Sequence, residues 1–194
     1  HFTVEETEVQ NGTVTGSKYL VEHQGQRLLV DCGLFQGYKQ LRLLNWEPLP
    51  FSAADIDAVV LTHSHLDHAG ALPLLVKQGF RGRILATPST IELCGLLLPD
   101  SGRIQEEDAA YANRHHTSKH ATALPLYTED DARRAMEQLH RLPFDQCVDV
   151  VPDVTVTLRP AGHILGAASA ELTAGQTTVL FSGDVGRPDD PVMR

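Results

Sequence analysis

In the stretch T-H-S-H-L-D-H-A-G, residues 62–70, the six residues from His63 to His68 hold four potential metal ligands, more than any other six consecutive residues of the chain. A hydrophobic run from Ile56 to Leu61 precedes it, and an apolar, helix-like segment follows. The sequence therefore predicts that these ligands lie on the loop leaving a buried strand. Open α/β sheets place their chemistry at loops of this kind.

The four ligands of this stretch favour two cations over one. His63 and His65 project to the same side of an extended turn, whereas Asp67 and His68 are adjacent and must diverge. Neutral imidazoles combined with a carboxylate form a ligand set typical of zinc. The alternative is a solvated polar loop whose histidines cluster by chance. We favour a dinuclear metal site.

Two later segments add one candidate ligand each. A-G-H-I-L-G-A surrounds His163 between two strand patterns, and F-S-G-D-V-G-R surrounds Asp184 directly after an apolar strand. Flanking glycines allow the backbone to approach a cation closely, and the two oxygens of Asp184 suit a bridge between two metals. Taken alone, His163 is compatible with a hydrogen-bonded core histidine and Asp184 with an ordinary turn residue. Together with residues 63–68 they favour ligation.

Composition and charge limit the functional classes. With 194 residues, 42% hydrophobic and 21% charged, the chain predicts a single globular domain over residues 1–194. A formal charge of −9 argues against a basic nucleic-acid-binding face of its own. Cys32, Cys94 and Cys147 are far apart and predict reduced thiols. No membrane-length apolar run or signal peptide is evident, so we expect a cytoplasmic protein without membrane contact. The absent initiator Met and the end at Arg194 suggest a fragment.

The local patterns predict alternating strands and helices, and hence an α/β layered fold. A hairpin is expected from Ser17 to His23 and from Gln26 to Val30, with its turn at Gln24 and Gly25. The remaining predicted elements are a helix stopped by Gly79, a strand over 83–87, helices over 89–98 and 101–113 separated at Pro99, a helix opened by a capping box at Thr128 and Asp131 and running through Leu139, and strands over 154–158, 168–172 and 177–181. Residues 38–50 predict an irregular connection.

A histidine-rich loop between the predicted helices offers a weaker candidate site. His115, His116 and His120 are flanked by Arg114 and Lys119, which would suit a rim along which phosphate passes. Polar interhelical loops are more often simply solvated. We do not include these histidines among the predicted ligands.

The chain resembles the metallo-β-lactamase superfamily, which is marked by an H-x-H-x-D-H pattern, a later His and a later bridging Asp. Within that superfamily it resembles the β-CASP ribonucleases. The segments that carry the narrower likeness are G-T-V-T-G-S (12–17), D-C-G-L-F-Q-G (31–37), L-T-H-S-H-L-D-H-A-G-A-L-P (61–73), E-E-D-A-A-Y-A-N (106–113), L-P-L-Y-T-E-D-D (124–131), A-G-H-I-L-G-A-A (161–168) and F-S-G-D-V-G-R (181–187).

The resemblance implies an αββα sandwich, incomplete at the C-terminus, with two Zn²⁺ ions per site in the complete protein. His63, His65 and His163 would hold one zinc, Asp67 and His68 the second, and Asp184 would bridge. Asp31 would orient ligand histidines from behind the site. A metal-bridging hydroxide would attack an RNA phosphodiester in line, with Asp67, Asp184 and His163 as the catalytic residues and Asp67 orienting the hydroxide.

Two departures from the family pattern qualify this expectation. A further zinc-binding histidine and the β-CASP domain, which forms much of the cleft for single-stranded RNA, would follow P-V-M-R (191–194) and are not in this sequence. We therefore expect weak or no activity from the 194-residue chain alone. The N-terminus reads E-E-T-E-V-Q-N where an apolar first strand is expected, which predicts a weakened or differently paired strand.

Alternative functions stay open at this stage. A small-molecule hydrolase acting on a thioester, lactone or lactam is compatible with the same scaffold and with an acidic surface. A non-catalytic scaffold subunit is an alternative from a different class, although none of the six ligands expected within residues 1–194 is lost. The sequence leaves a homodimer open and does not distinguish endonuclease from exonuclease.

Overall fold

The computed structural model describes residues 2–6, 16–118 and 122–187, whose β-strands form two sheets. The first sheet has six strands in the order in which they occur along the chain. They are β1 (Thr3–Glu6), β2 (Tyr19–His23), β3 (Gln26–Val30), β4 (Ala58–Val60), β5 (Arg83–Ala86) and β6 (Leu139–Arg141). Strands β1 to β3 are antiparallel, and β3 to β6 run parallel. The parallel half brings the carboxyl ends of β3, β4 and β5 to one edge.

The second sheet is an antiparallel meander of four strands in the order β10-β9-β8-β7. They are β7 (Cys147–Val151), β8 (Val154–Pro160), β9 (Ala168–Ala174) and β10 (Thr177–Phe181). Along β9 buried and half-buried residues alternate, as expected of a sheet with only one face against a core.

Five helices and one 3₁₀ turn complete the described part of the chain. They are α1 (Lys39–Leu44), the 3₁₀ turn Ala53–Asp55, α2 (Leu66–Ala69), α3 (Leu72–Lys77), α4 (Pro88–His115) and α5 (Glu129–Met136). Within the ranges described, no helix is long and apolar enough to cross a lipid bilayer.

The first sheet separates two hydrophobic cores. On one face, Leu29 and Val59 of its strands pack with α3, α4 and α5. On the other face, Val30 and Val60 pack against the second sheet, which contributes Val156 and Leu172. Because strand side chains alternate between faces, each parallel strand contributes to both cores. The described residues therefore form three layers, helix, sheet and sheet, of the mixed α/β fold that the sequence predicts as an αββα sandwich.

Most strands lie where the hydrophobic patterns predict them. The β2–β3 hairpin, β5, β8, β9 and β10 are confirmed, with bounds that shift by three residues or fewer. The capping box at Thr128 and Asp131 is also confirmed. At the N-terminus, β1 pairs with β2. Residues 7–15, which include the first four residues of G-T-V-T-G-S, lie outside the described residues.

Four predictions about helices are wrong. Helix α4 continues through Pro99 instead of breaking there, and it begins after an N-cap at Thr87 rather than at Ser89. Part of the 38–50 connection forms α1. Leu139 begins β6 rather than extending α5, because its backbone joins β5 in parallel pairing.

Candidate metal centre

The predicted ligands converge at the carboxyl ends of the central parallel strands. Strands β3 and β4 are paired, with Val30 opposite Val60, so the residues that follow them are neighbours. The Asp31 N–H donates to the Val60 carbonyl at 2.9 Å, and the Thr62 N–H donates to Asp31 Oδ1 at 2.8 Å. The segment 62–70, which carries four of the predicted ligands, therefore starts next to Asp31.

Three imidazole nitrogens and one carboxylate form the centre of the site. His65 Nδ1 lies 3.1 Å from both His63 Nε2 and His163 Nε2. Asp184 Oδ2 lies 3.3 Å from His163 Nε2 and 3.8 Å from His63 Nε2. One ligand atom from each of these four residues lies within 4.8 Å of the other three. Convergent imidazoles and a carboxylate are donors that suit a divalent metal, so the residues fit the expected cofactor.

The two oxygens of Asp184 face different histidines. Oδ2 faces His63 and His163, whereas Oδ1 lies 3.4 Å from His68 Nε2. The two oxygens of this carboxylate therefore lie near different imidazole nitrogens.

Asp67 lies outside the four-residue cluster. It is half-buried in the first turn of α2, beside His68, and its backbone carbonyl accepts from the Ser17 N–H at 2.8 Å. The neighbouring D-C-G-L segment is held in the same manner, because the Cys32 N–H donates to the His68 carbonyl at 2.7 Å. A Cβ on Gly33 would lie 1.7 Å from the Asp67 carbonyl oxygen, so only glycine fits beside α2.

Asp31 fixes the orientation of two histidines. Its Oδ2 accepts from His68 Nδ1 at 2.7 Å and from Thr62 Oγ1 at 2.8 Å. Because the Thr62 hydroxyl gives its proton to Asp31, its oxygen accepts from His63 Nδ1 at 3.1 Å. When His63 and His68 are neutral, the Nε2 lone pair of each ring is then left facing the site. Sequence analysis missed Thr62, because a single hydroxyl gives no recognisable pattern.

The protonation of the two buried histidines differs. Burial, followed by the neighbouring His68, His65 and His163, lowers the pKa of His63 to about 2, which keeps this ring neutral. Burial also disfavours the charged form of His68. The hydrogen bond to Asp31 and the charges of Asp31, Asp184 and Asp67 outweigh it and raise the pKa of His68 above its usual value.

The loops that carry His163 and Asp184 pack directly on each other. The Gly186 N–H donates to the Ala161 carbonyl at 2.9 Å, and a Cβ on Gly186 would lie 1.7 Å from the Gly162 carbonyl oxygen. The sequence analysis did not predict this packing role for the flanking glycines.

The histidines of the weaker candidate site lie at and beyond the end of α4. His115 lies at the exposed end of α4 with its ring 4.3 Å from that of Tyr111, and His116 follows it in a left-handed conformation. Neither belongs to the metal-ligand cluster found among the described residues. His120 and Lys119 lie outside those residues.

Two segments that carry the β-CASP resemblance, residues 106–113 and 124–131, contain no predicted metal ligand. They contribute to contacts that hold α4 against the chain that leads into α5. The Asn113 side chain both donates to and accepts from the Ala123 backbone, at 2.9 and 2.7 Å. Glu106 accepts from the Glu129 N–H at 2.9 Å. These contacts give E-E-D-A-A-Y-A-N and L-P-L-Y-T-E-D-D a shared structural role.

Curated relatives of the chain include proteins named as ribonucleases and as transcription termination factors. It is 32% identical to Ribonuclease TTHA0252 of Thermus thermophilus, over 93% of this chain and 37% of the relative. It is 33% identical to Transcription termination factor FttA of Cenarchaeum symbiosum, over 90% of this chain and 26% of the relative. It is 32% identical to Cleavage and polyadenylation specificity factor 73 of Drosophila melanogaster, over 88% of this chain and 23% of the relative. The chain thus spans about a quarter to two fifths of their lengths, and these relatives confirm the resemblance to the β-CASP ribonucleases.

Solved structures and a family model agree on the fold. A metallo-β-lactamase with an HARLDQ motif from Cronobacter sakazakii matches 93% of this chain and 60% of its own at a TM-score of 0.53 and 24% identity. The metallo-beta-lactamase fold protein YhfI from Bacillus subtilis matches 92% of this chain and 61% of its own, at a TM-score of 0.53 and 19% identity. The family model described as the Metallo-beta-lactamase superfamily matches residues 12–193. Because that match includes both sheets from β2 onward and every loop that carries a predicted ligand, the chain belongs to the metallo-beta-lactamase superfamily.

Proposed function

We propose that the chain is the catalytic lobe of a zinc-dependent ribonuclease that hydrolyses RNA phosphodiester bonds in RNA processing or decay. The observation that carries the proposal is the position of Asp184, whose two oxygens face two sets of histidines. The names of the curated relatives support RNA as the substrate. We further propose a cytoplasmic location.

The ligands divide between two positions. His63, His65 and His163 would hold one zinc, Asp67 and His68 the second, and Asp184 would contact both. When bound, paired zinc ions supply Lewis acidity toward a phosphate and a water of lowered pKa. Asp31 holds the rings of His63 and His68 from behind, so the ligand geometry exists before substrate arrives. Asp67, half-buried beside this position, is the candidate for orienting the nucleophile.

A further module would complete the RNA site. The chain carries a formal charge of −9, and bound cations would neutralise part of it, so a polyanionic strand needs additional contacts. We propose that residues 1–194 are the N-terminal portion of the lactamase-like domain, and that a β-CASP domain in a longer protein supplies the cleft for single-stranded RNA. The lengths of the curated relatives support this division.

The test uses protein expressed from the full open reading frame that contains this chain. Labelled single-stranded RNA should be cleaved, EDTA should abolish cleavage, and added Zn²⁺ should restore it. His65→Ala should remove activity, whereas His140→Ala, which changes an exposed histidine of β6, should not. Cleavage that is insensitive to chelator, or an active His65→Ala variant, would contradict the proposal.

A small-molecule hydrolase is the second candidate, and the acidic charge favours it, since a thioester, lactone or lactam needs no basic face. Turnover of a chromogenic lactam or thioester that exceeds RNA cleavage would establish it. Metal analysis separates both enzymes from a non-catalytic scaffold, because two equivalents of bound zinc support a catalytic centre and no bound zinc supports the scaffold.

A further inference from the structure

The loop that carries His163 rests on the first turn of α4. This loop joins β8 to β9, and the carbonyl oxygen of Gly166 near its end lies 2.7 Å from Thr87 Oγ1 and 3.0 Å from Thr90 Oγ1. Both threonines are buried, with relative exposures of 1% and 0%. A carbonyl oxygen has two lone pairs, so Gly166 can accept from both hydroxyls at once.

The Thr87 hydroxyl serves the helix and the loop together. It accepts from the Thr90 N–H at 3.3 Å as the N-cap of α4 while it donates to Gly166. The position of the loop is thereby tied to the start of a 28-residue helix. Hydrogen bonds between buried groups are costly to leave unmade, so they hold the loop firmly.

The backbone of Gly166 lies directly on the helix. Its φ is +81°, and a Cβ there would lie 2.7 Å from Thr87 Oγ1 and 2.7 Å from the Thr90 nitrogen. The Ala167 N–H donates to the Ile164 carbonyl at 2.9 Å, which closes a tight turn immediately after His163. Few free torsions therefore separate the ligand from the point where the loop is attached.

The other end of the same loop is held independently. Gly162 packs against Gly186 of the Asp184 loop, so His163 lies between two anchors. The Gly162 anchor belongs to the ligand loops themselves. The Gly166 anchor comes from an element that contributes no predicted ligand.

We propose that Thr87 and Thr90 are positioning residues that hold His163 in the metal centre through the Gly166 carbonyl. This inference rests on the proposed metal binding. Its consequence is that the hydroxyls should affect metal affinity although neither threonine is a predicted ligand.

The test compares hydroxyl removal with hydroxyl retention. Thr90→Val keeps the helix cap and nearly the same shape but removes one donor, and Thr87→Val/Thr90→Val removes both. Thr87→Ser/Thr90→Ser retains both donors. Thr157→Val, at a buried threonine of β8, is the matched control. Zinc affinity is measured by competition with a chromophoric chelator, the visible spectrum of the Co²⁺ form reports the number of ligands, and melting of the metal-free protein reports folding.

The expected result is a loss of zinc affinity of about 10- to 100-fold in the valine double variant, with a smaller loss in Thr90→Val. The serine variant and Thr157→Val should bind like the parent, and the Co²⁺ spectrum of the double variant should weaken or change shape. Folded valine variants with unchanged zinc affinity, or a serine variant that fails to restore it, would overturn the positioning role but leave the metal centre intact. A parent protein that binds no zinc would overturn both the centre and the inference.

Discussion

Asp31 carries out its role in a backbone conformation that most residues avoid. Its φ is +59°, in the left-handed region that Asp and Asn tolerate better than other non-glycine residues. In this conformation its buried carboxylate accepts from the Thr62 N–H, the Thr62 hydroxyl and His68 Nδ1. One side chain thereby connects the end of β3 to Thr62 and to the predicted ligand His68 in α2.

Replacement of this carboxylate should weaken metal binding without preventing folding. Asp31→Asn preserves the tolerance for a positive φ but removes the charge and one acceptor, so the His68 ring loses its fixed orientation. We expect zinc affinity to fall by about 10- to 100-fold, measured by chelator competition. Asp57→Asn is the control. This exposed carboxylate accepts a hydrogen bond from the Arg27 N–H at 2.8 Å, and among the bonds described it contacts no predicted metal ligand. Equal affinities of the two variants would contradict the orienting role.

At the level of single residues, the sequence was informative where chemistry is concentrated. His63, His65, His163 and Asp184 converge as predicted, because paired ligand types on strand-end loops give a recognisable pattern. Thr62, Thr87 and Thr90 could not be predicted. Their importance depends on which carbonyl or carboxylate the fold brings to the hydroxyl, and this is decided by contacts between distant segments.

Helix α4 shows how packing outweighs local preference. A proline within a helix costs about 3 kcal/mol, and the sequence therefore predicted a break at Pro99. Cys94, Leu98 and Gly102 recur at intervals of four and form one buried face across the predicted break. Gly102 lies so close to the α5 N-terminus that a Cβ would be 2.7 Å from the Glu129 nitrogen. Burial of this face favours a continuous helix.

Helix α5 offers a prediction of pH-dependent stability. Burial raises the pKa of Asp131, but hydrogen bonds from Thr128 and the Lys77 ammonium, 3.1 Å away, outweigh it and hold the pKa below its usual range. A lowered pKa gives stability that is present above the unfolded pKa of about 3.9 and is lost as the pH falls through the folded value. Asp131→Asn should therefore cost about 1 kcal/mol of unfolding free energy at pH 7.

Urea denaturation of the parent and of Asp131→Asn across a pH series would check this. The difference between their unfolding free energies should be constant near neutrality and shrink below pH 4 or so, because Asn does not titrate. A difference that persists unchanged into acid would show that the Asp131 charge contributes nothing.

At the scale of the whole molecule, the candidate site joins the two sheets. Asp31 and residues 63–68 follow strands of the first sheet, whereas His163 and Asp184 follow strands of the second. The Ala168 N–H donates to the Thr62 carbonyl at 2.9 Å, which connects the two groups of loops through the backbone. Metal bound here would contact both halves of the sandwich.

Substitution at the contact between the second-sheet loops should separate the ligands. A Cβ in Gly186→Ala would overlap the Gly162 carbonyl, so the His163 and Asp184 loops must move apart. We expect a loss of zinc affinity and a smaller rise in melting temperature on adding Zn²⁺, since a ligand stabilises only in proportion to its binding of the native state.

Gly95→Ala is the matched glycine control. Gly95 lies inside α4, and a Cβ there would meet only Met136 Cε, at 3.6 Å. Because glycine is unfavourable inside a helix, the alanine variant should be more stable by about 0.5–1 kcal/mol, with unchanged zinc affinity. Equal zinc responses in both variants would show that the Gly186 contact does not position the ligands.

The division of the site between two sheets has a consequence for biosynthesis. One hundred residues separate His63 from His163, and Asp184 follows later still. While the ribosome is still translating the second sheet, the nascent chain displays imidazoles that lack the partners needed for tight cation capture. We therefore expect tight cation binding only after the second sheet has left the exit tunnel and docked, and cation uptake by translating polypeptides would report that step.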